Sequence, residues 1–213
     1  MTNMFKPLSE HTRLRYDECC AKLILEELFP ERYEVLLVVD KPDLQGLDVG
    51  VEVTTANDPI VEEVRSNSIK AHYSNDEKIK NRYIERMARH GVAYTGGVQA
   101  FPGTKSSFAL TQKAVENKIQ KLKSGSYKVF RRYELFVFTD TWYHEYVIKD
   151  AKSYLFDKSV SEFFKTVYIL SEGYDLHLFE TEDKIHNNIK IDIKKQSERN
   201  IRARQMVEAV ECK

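Results

Sequence analysis

The chain has 213 residues, 42% of them hydrophobic and 31% charged, with 33 Lys and Arg against 33 Asp and Glu. That length and balance fit one soluble globular domain able to bury a sizeable core. A formal net charge of zero excludes a global basic field as the signature of a nucleic-acid partner, and three cysteines, Cys19, Cys20 and Cys212, leave no readable disulfide framework or zinc spacing.

The balance is local as well as global. Residues 16–63 are mainly acidic and residues 113–132 mainly basic. Met1 to Glu10 has no apolar run, so no signal peptide is expected, and no stretch approaches the roughly 20 apolar residues of a membrane span. A reducing cytoplasm is the expected compartment, with no membrane partner.

In chain order, Tyr16 to Leu28 predicts an amphipathic helix, with Tyr16, Cys20, Leu23, Ile24 and Leu28 at helical spacing and Phe29-Pro30 ending it. Glu18, Glu26 and Glu27 ride on it. Tyr33 to Val39 is nearly continuous in apolar residues and predicts a central strand. Then comes an acid-bearing stretch, Asp40 to Thr55. Glu52 sits between Val51 and Val53 and reads as the middle of a buried strand, where a carboxylate is costly unless something pairs with it.

Two hairpin registers are open. A turn at Gln45-Gly46 sets Asp43 opposite Asp48; a turn at Leu47-Asp48 sets Asp43 opposite Glu52, with Cα atoms about 5 Å apart. Asp48 and Glu52 lie four residues apart in one strand, about 13 Å at roughly 3.3 Å per residue, so Asp48 reads as a turn residue and Asp43 as the partner of Glu52. Two carboxylates brought together raise a pKa or recruit a cation, and Mg²⁺ or Mn²⁺ takes such oxygen ligands.

Pro42-Asp43 followed by Glu52-Val53-Thr54 resembles the PD-(D/E)XK motif of the restriction-endonuclease-like superfamily. The resemblance implies an αβββαβ core, two acids that bind a divalent ion, and a lysine that assists the attacking water. Here Thr54 stands at the lysine position. A first-helix acid often joins the site in that superfamily; Glu18 and Glu27 are both candidates.

Further along, Asp58 and Pro59 predict an N-cap and first helical position, and Ile60 to about Arg89 predicts helix, broken near Tyr73-Ser74-Asn75. Gly91 to Ser107 is the long loop, a mobile flap or plain surface. Phe108 to Ser124 predicts a helix stopped at Gly125. Val115, Ile119 and Leu122 form its buried stripe and Lys118 flanks it. Tyr133 to Thr139 predicts an apolar strand. An acid hairpin, a lysine-bearing helix and an apolar strand follow in the order of the superfamily core, over roughly residues 15–140. In that setting Lys118 is the candidate to replace the missing lysine, with Lys121 second.

Trp142 to Lys165 predicts mainly helix with exposed aromatics, Thr166 to Leu170 and Tyr174 to Glu180 a hairpin, and 191 to 212 a charged helix that packs on the domain or on a partner, a second copy included. His72, His90, His144, His177 and His186 are scattered without ligand spacing.

The expected fold class is thus α/β, a mixed central sheet flanked by helices in a single domain, 1–213, with 141–213 extending the core. The expected function is hydrolysis of phosphodiester bonds in DNA or RNA, as in bacterial or phage defence. Asp43 and Glu52 hold Mg²⁺ or Mn²⁺, Lys118 stabilises charge, and Lys121, Lys123, Lys128, Arg131 and Arg132 take the nucleic-acid backbone. An inactive nuclease-fold binding module and an interaction or immunity-type protein are the alternatives.

Overall fold

The computed structural model describes residues 8, 9, 12–98, 107–125 and 127–211. The chain groups into two compact units, Met1–His11 with Asn57–Lys105, and Thr12–Ala56 with Ser106–Lys213.

The second unit carries a seven-stranded mixed sheet in sequential order: β1 (Leu37–Val38), β2 (Leu44–Gln45), β3 (Val49–Thr55), β4 (Arg132–Thr139), β5 (Thr166–Ser171), β6 (Asp175–Glu180) and β7 (Ile185–Lys190). β3, β4 and β5 are parallel neighbours, and the other pairings are antiparallel. The parallel trio is buried on both faces, which is why its sequences read as near-continuous apolar runs. Strand alternation divides β3 between two cores. Val49, Val51 and Val53 face Ala21, Ile24 and Leu25 of α1 (Tyr16–Leu28). The opposite face of the sheet, with Leu135, Val137, Val167 and Ile169, is covered by Val115 and Ile119 of the helix Ala109–Lys123 and by Val147, Ala151 and Leu155 of the helix Glu145–Leu155.

The first unit holds α2 (Pro59–Tyr73) and α3 (Glu77–Ala88), packed through Val64, Ala71 and Met87 together with Val92. Asp58 and Asp76 cap the two helices by accepting from backbone N–H groups. The helix Ala109–Lys123 is α4 and Glu145–Leu155 is α5; α6 (Lys158–Ser161) and α7 (Ile193–Glu211) follow. Residues 99–106, most of the second half of the expected Gly91–Ser107 loop, lie outside the described residues; Tyr94 and Val98 bridge within its first half.

One expectation changes, and two further stretches gain a structural account. The run Tyr33–Val39 is not a central strand: β1 has two residues and lies at the sheet edge, with Val35 and Leu37 more than half exposed. Tyr33 and Leu36 turn fully inward and Val38 partly, so a nearly continuous apolar run here marks an edge rather than a double-faced core. At that edge the Leu36 N–H donates to Glu26 Oε1 at 2.7 Å, so a helix carboxylate occupies a donor the sheet leaves free. β7 gives no apolar alternation, because Ile-His-Asn-Asn-Ile-Lys is an outer strand held mainly by its ladder to β6. In α7 the buried residues are Arg199, Ala203 and Val207, whereas Ile193 faces solvent; the helix packs on α1, where Arg199 Nη1 donates to Glu27 Oε2 at 2.8 Å. Among the described residues, no helix is long and apolar enough to cross a membrane.

Candidate active site

β2 and β3 pair with Leu44 opposite Val51 and Gln45 opposite Gly50. The turn therefore lies at Leu47-Asp48, and Asp43 falls beside Glu52. Gly50 makes the approach possible: a Cβ there would lie 2.5 Å from Pro42 Cγ and 3.0 Å from Phe130 Cδ2. Pro42 packs over this gap and delivers Asp43, whose Oδ2 accepts from the Val53 N–H at 2.7 Å. That bond fixes the Asp43 carboxylate against the strand that bears Glu52.

Glu52 points to the sheet face covered by α4 and is 1% exposed. Lys118, itself buried, reaches down from α4 between the two acids. Its ammonium donates to Asp43 Oδ2 at 2.8 Å and to Glu52 Oε2. Burial alone would lower the Lys118 pKa, but Glu52 and Asp43 outweigh it and hold the ammonium above the ordinary lysine range. Burial likewise pushes the Glu52 carboxyl up; Lys118 opposes this and Asp43 adds to it. Glu52 Oε1 is buried and closes no hydrogen bond, with the Tyr127 phenol standing near the same carboxylate. Thr54 follows Glu52 on the same face of β3, where alternation puts every second side chain.

The contrast with Glu134 is informative. It too is a carboxylate inside an apolar strand, and it is fully buried. Its Oε1 accepts from Arg32 Nη2 at 2.7 Å, with Arg132 Nε 3.4 Å away, and its Oε2 accepts from the Tyr33 hydroxyl, which meets the Tyr168 hydroxyl at 2.7 Å. Both Glu134 oxygens are engaged; one Glu52 oxygen is not. Sequence reasoning missed this second carboxylate, although the signal was the same one that marked Glu52.

Two further groups stand close to the acid pair. Glu18 on α1 is buried, and desolvation, followed by the charges of Asp43 and Asp17, pushes its carboxyl up to about 7. Of the two first-helix candidates, Glu18 is therefore the one near Asp43; Glu27 is bound to Lys195 and Arg199 of α7. Tyr127, just beyond the end of α4, has its phenol pushed up to about 12 by burial and then by Glu52 and Asp43. An aromatic set among lysines and arginines was the signal that could have found it.

The expected backbone-binding residues are spread out. Lys121, Lys123, Lys128 and Arg131 are exposed. Lys123 lies over the Phe163 ring and Lys128 over the Phe130 ring, each 5.0 Å from the centroid. Arg132 is partly drawn inward, 3.4 Å from Glu134 and 3.8 Å from Asp48.

Among the described residues, no three His, Cys, Asp or Glu side chains form a metal-holding group. Asp43 and Glu52 form a pair, one member of which keeps a buried oxygen without a partner. Such a donor set suits a hard dication that retains most of its water, as Mg²⁺ does when held by one or two carboxylates. No family model matches the chain, and searches of curated proteins and of solved structures find no match.

Proposed function

We propose that the chain is a metal-dependent nuclease of restriction-endonuclease-like architecture that hydrolyses phosphodiester bonds in DNA or RNA. The observation that carries this reading is the meeting of Asp43, Glu52 and Lys118 around one ammonium, with Glu52 Oε1 buried and unpaired. In support, α1, β1, β2, β3, α4 and β4 follow one another in the αβββαβ order, and Asn57–Lys105 falls between β3 and α4. The sheet holds a lysine at the acids even though Thr54 takes the E-x-K position, and that lysine comes from α4.

Asp43 and Glu52 would hold the Mg²⁺ or Mn²⁺ ion. When bound, such an ion supplies charge neutralisation at the phosphate and a more acidic water. Lys118 supplies a fixed positive charge where negative charge develops on the phosphoryl oxygens, worth several kcal/mol in a water-poor site. Val53 N–H keeps Asp43 oriented toward that point. Glu18, whose carboxyl is pushed up to about 7 by burial and then by the charge of Asp43, would be the group able to exchange a proton near the acids. Exposed Lys121, Lys123, Lys128 and Arg131 provide a sequence-independent backbone track.

The test is single-turnover cleavage of mixed DNA and RNA substrates in Mg²⁺ or Mn²⁺. Lys118→Ala lowers the rate about 10²-fold or more, while Lys123→Ala mainly weakens binding and its salt dependence. Equal, mild effects of the two changes would mean that Lys118 only offsets the charge of the buried acids, and would refute the catalytic role. A second reading is a nuclease-fold binding module without catalysis. It is favoured by the Lys118 ammonium itself, which already compensates both carboxylates without an ion. Salt-dependent binding without cleavage selects it.

A further inference from the structure

We propose that Trp142, His144 and Tyr146 form a stacking platform for the unpaired bases of a single-stranded nucleic acid, an inference that rests on the nuclease reading for the class of its ligand. Trp142 is the one tryptophan of the chain. It is 58% exposed, and Tyr146 is 76% exposed. The His144 ring lies between them, 5.8 Å from Trp142 and 5.9 Å from Tyr146 at interplanar angles of 75° and 74°. The three rings thus run as an edge-to-face row at the exit of β4 and the start of α5.

The backbone beneath the row is fixed. Thr141 and Tyr143, on either side of Trp142, are both buried. The Thr141 N–H donates to Thr139 Oγ1 at 3.1 Å, and its carbonyl accepts from Ser171 Oγ at 2.6 Å. The Tyr143 hydroxyl donates to Thr111 Oγ1 at 2.9 Å. Buried neighbours on both sides therefore hold the indole out in water. An apolar ring kept exposed on a rigid support marks a binding surface more than a folding element. Among the described residues from 130 to 184, Trp142 and Tyr146 are the exposed large hydrophobics. Within that stretch the exposed large apolar groups are ring faces, without the aliphatic side chains that usually complete a protein interface core. Ring faces without hydrogen-bond readout are what sequence-tolerant base stacking needs.

The position also links the row to the acids. Thr111, which holds Tyr143, lies seven residues from Lys118 on the same stripe of α4, two turns or about 10 Å along the axis. Exposed Lys121 borders that stripe and exposed Lys113 lies on the outward face of the same helix, and both match the charge of a polyanion. A strand with its phosphates along α4 has bases free to reach the rings a few nucleotides from the acid pair.

Because Trp142 is the one tryptophan, its emission reports on this platform. The full chain in EDTA is titrated with an oligothymidylate, an oligouridylate, an abasic oligonucleotide and a duplex of equal length. A base-bearing single strand quenches the emission, whereas the abasic strand and the duplex leave it largely unchanged. Trp142→Ala and Tyr146→Ala each weaken binding of the labelled single strand about tenfold, and Trp142→Phe stays within about threefold of the parent. Circular dichroism of the variants confirms an intact fold, since both positions are exposed. Equal quenching by the abasic strand or the duplex, or unchanged affinity in Trp142→Ala, overturns the platform. So does an emission change on raising protein concentration alone with a dimer mass in light scattering, which identifies a self-association surface. Quenching without cleavage in Mg²⁺ or Mn²⁺ refutes the nuclease reading and keeps the platform; cleavage without quenching does the reverse.

Discussion

Replacing Lys118 by methionine keeps an unbranched apolar stem of similar reach and removes the ammonium from between two carboxylates. Glu52 has a side-chain exposure of 1%, Lys118 of 9% and Asp43 of 17%, so the charge left without a partner is essentially that of Glu52. Breaking a buried pair by removing one member destabilises by about 3–5 kcal/mol. Protonation limits the loss. Relative to the ordinary glutamate value of 4.5, neutralising Glu52 in the folded state costs about 1.4 kcal/mol per pH unit above that value. The ceiling is therefore about 1.4 kcal/mol at pH 5.5 and nearly 5 kcal/mol at pH 8. The sign follows from linkage: a carboxyl whose folded pKa is raised loses stability as pH climbs through its unfolded value, and the deficit levels off above its folded value. Urea unfolding of Lys118→Met should show a deficit of about 1 kcal/mol at pH 5.5 and about 3–4 kcal/mol at pH 8. Glu52→Gln in the same chain should recover most of the loss at pH 8. A deficit below about 1 kcal/mol at both pH values would refute the reasoning.

Three other outcomes are expected. Glu18→Gln removes a carboxyl raised to about 7; that group disfavours folding above pH 7, and the penalty fades as pH falls toward its unfolded value. The variant is therefore more stable than the parent by about 1–2 kcal/mol at pH 8, after discounting for solvent screening, and little changed at pH 4, as urea titration at both pH values would reveal. Glu52→Gln keeps the circular dichroism spectrum and abolishes the heat of Mn²⁺ binding in calorimetry; unchanged affinity in the folded variant means that Glu52 is no ligand. Gly50→Ala forces a Cβ against Pro42 and Phe130 and lowers stability by about 1–3 kcal/mol, a loss read in thermal melts and absent if the Pro42 segment moves aside freely.

The site was legible where local chemistry constrains the chain. Glu52 between valines had to be paired, and the period of a strand kept Asp48 out of reach, so the hairpin register followed from Asp43 needing to meet Glu52. The position of Lys118 beside an apolar helical stripe was readable as well, since its burial follows from the 3.6-residue repeat. The choice between Glu18 and Glu27 was not. Helical angle measured against apolar residues favours Glu27, but α7 covers that side of α1 with Arg199 and Lys195, and no local pattern announces a helix contributed from the far end of the chain. β1 and β7 escaped for a related reason. Edge strands are defined by what fails to pair with them, so apolar Tyr33–Val39 looked central and polar Ile185–Lys190 carried no strand signal. Glu134 carried the same signal as Glu52, but its partners Arg32, Tyr33 and Tyr168 come from distant positions and no local pattern named them.

The source of the compensating charge has a consequence for folding order. Lys118 is 66 residues beyond Glu52, whereas the hairpin that brings Asp43 to Glu52 is closed by a two-residue turn. The hairpin is thus a fast local event, but sealing Glu52 away from water is uphill until α4 docks. A growing chain released only as far as β3 carries a half-built sheet whose acids must stay wet. Docking of α4 then neutralises the acids and covers the part of the apolar face beside them in one step. The lysine on α4 acts as a latch that ties commitment of the sheet to arrival of its second layer, a coupling that a lysine on β3 itself would not impose.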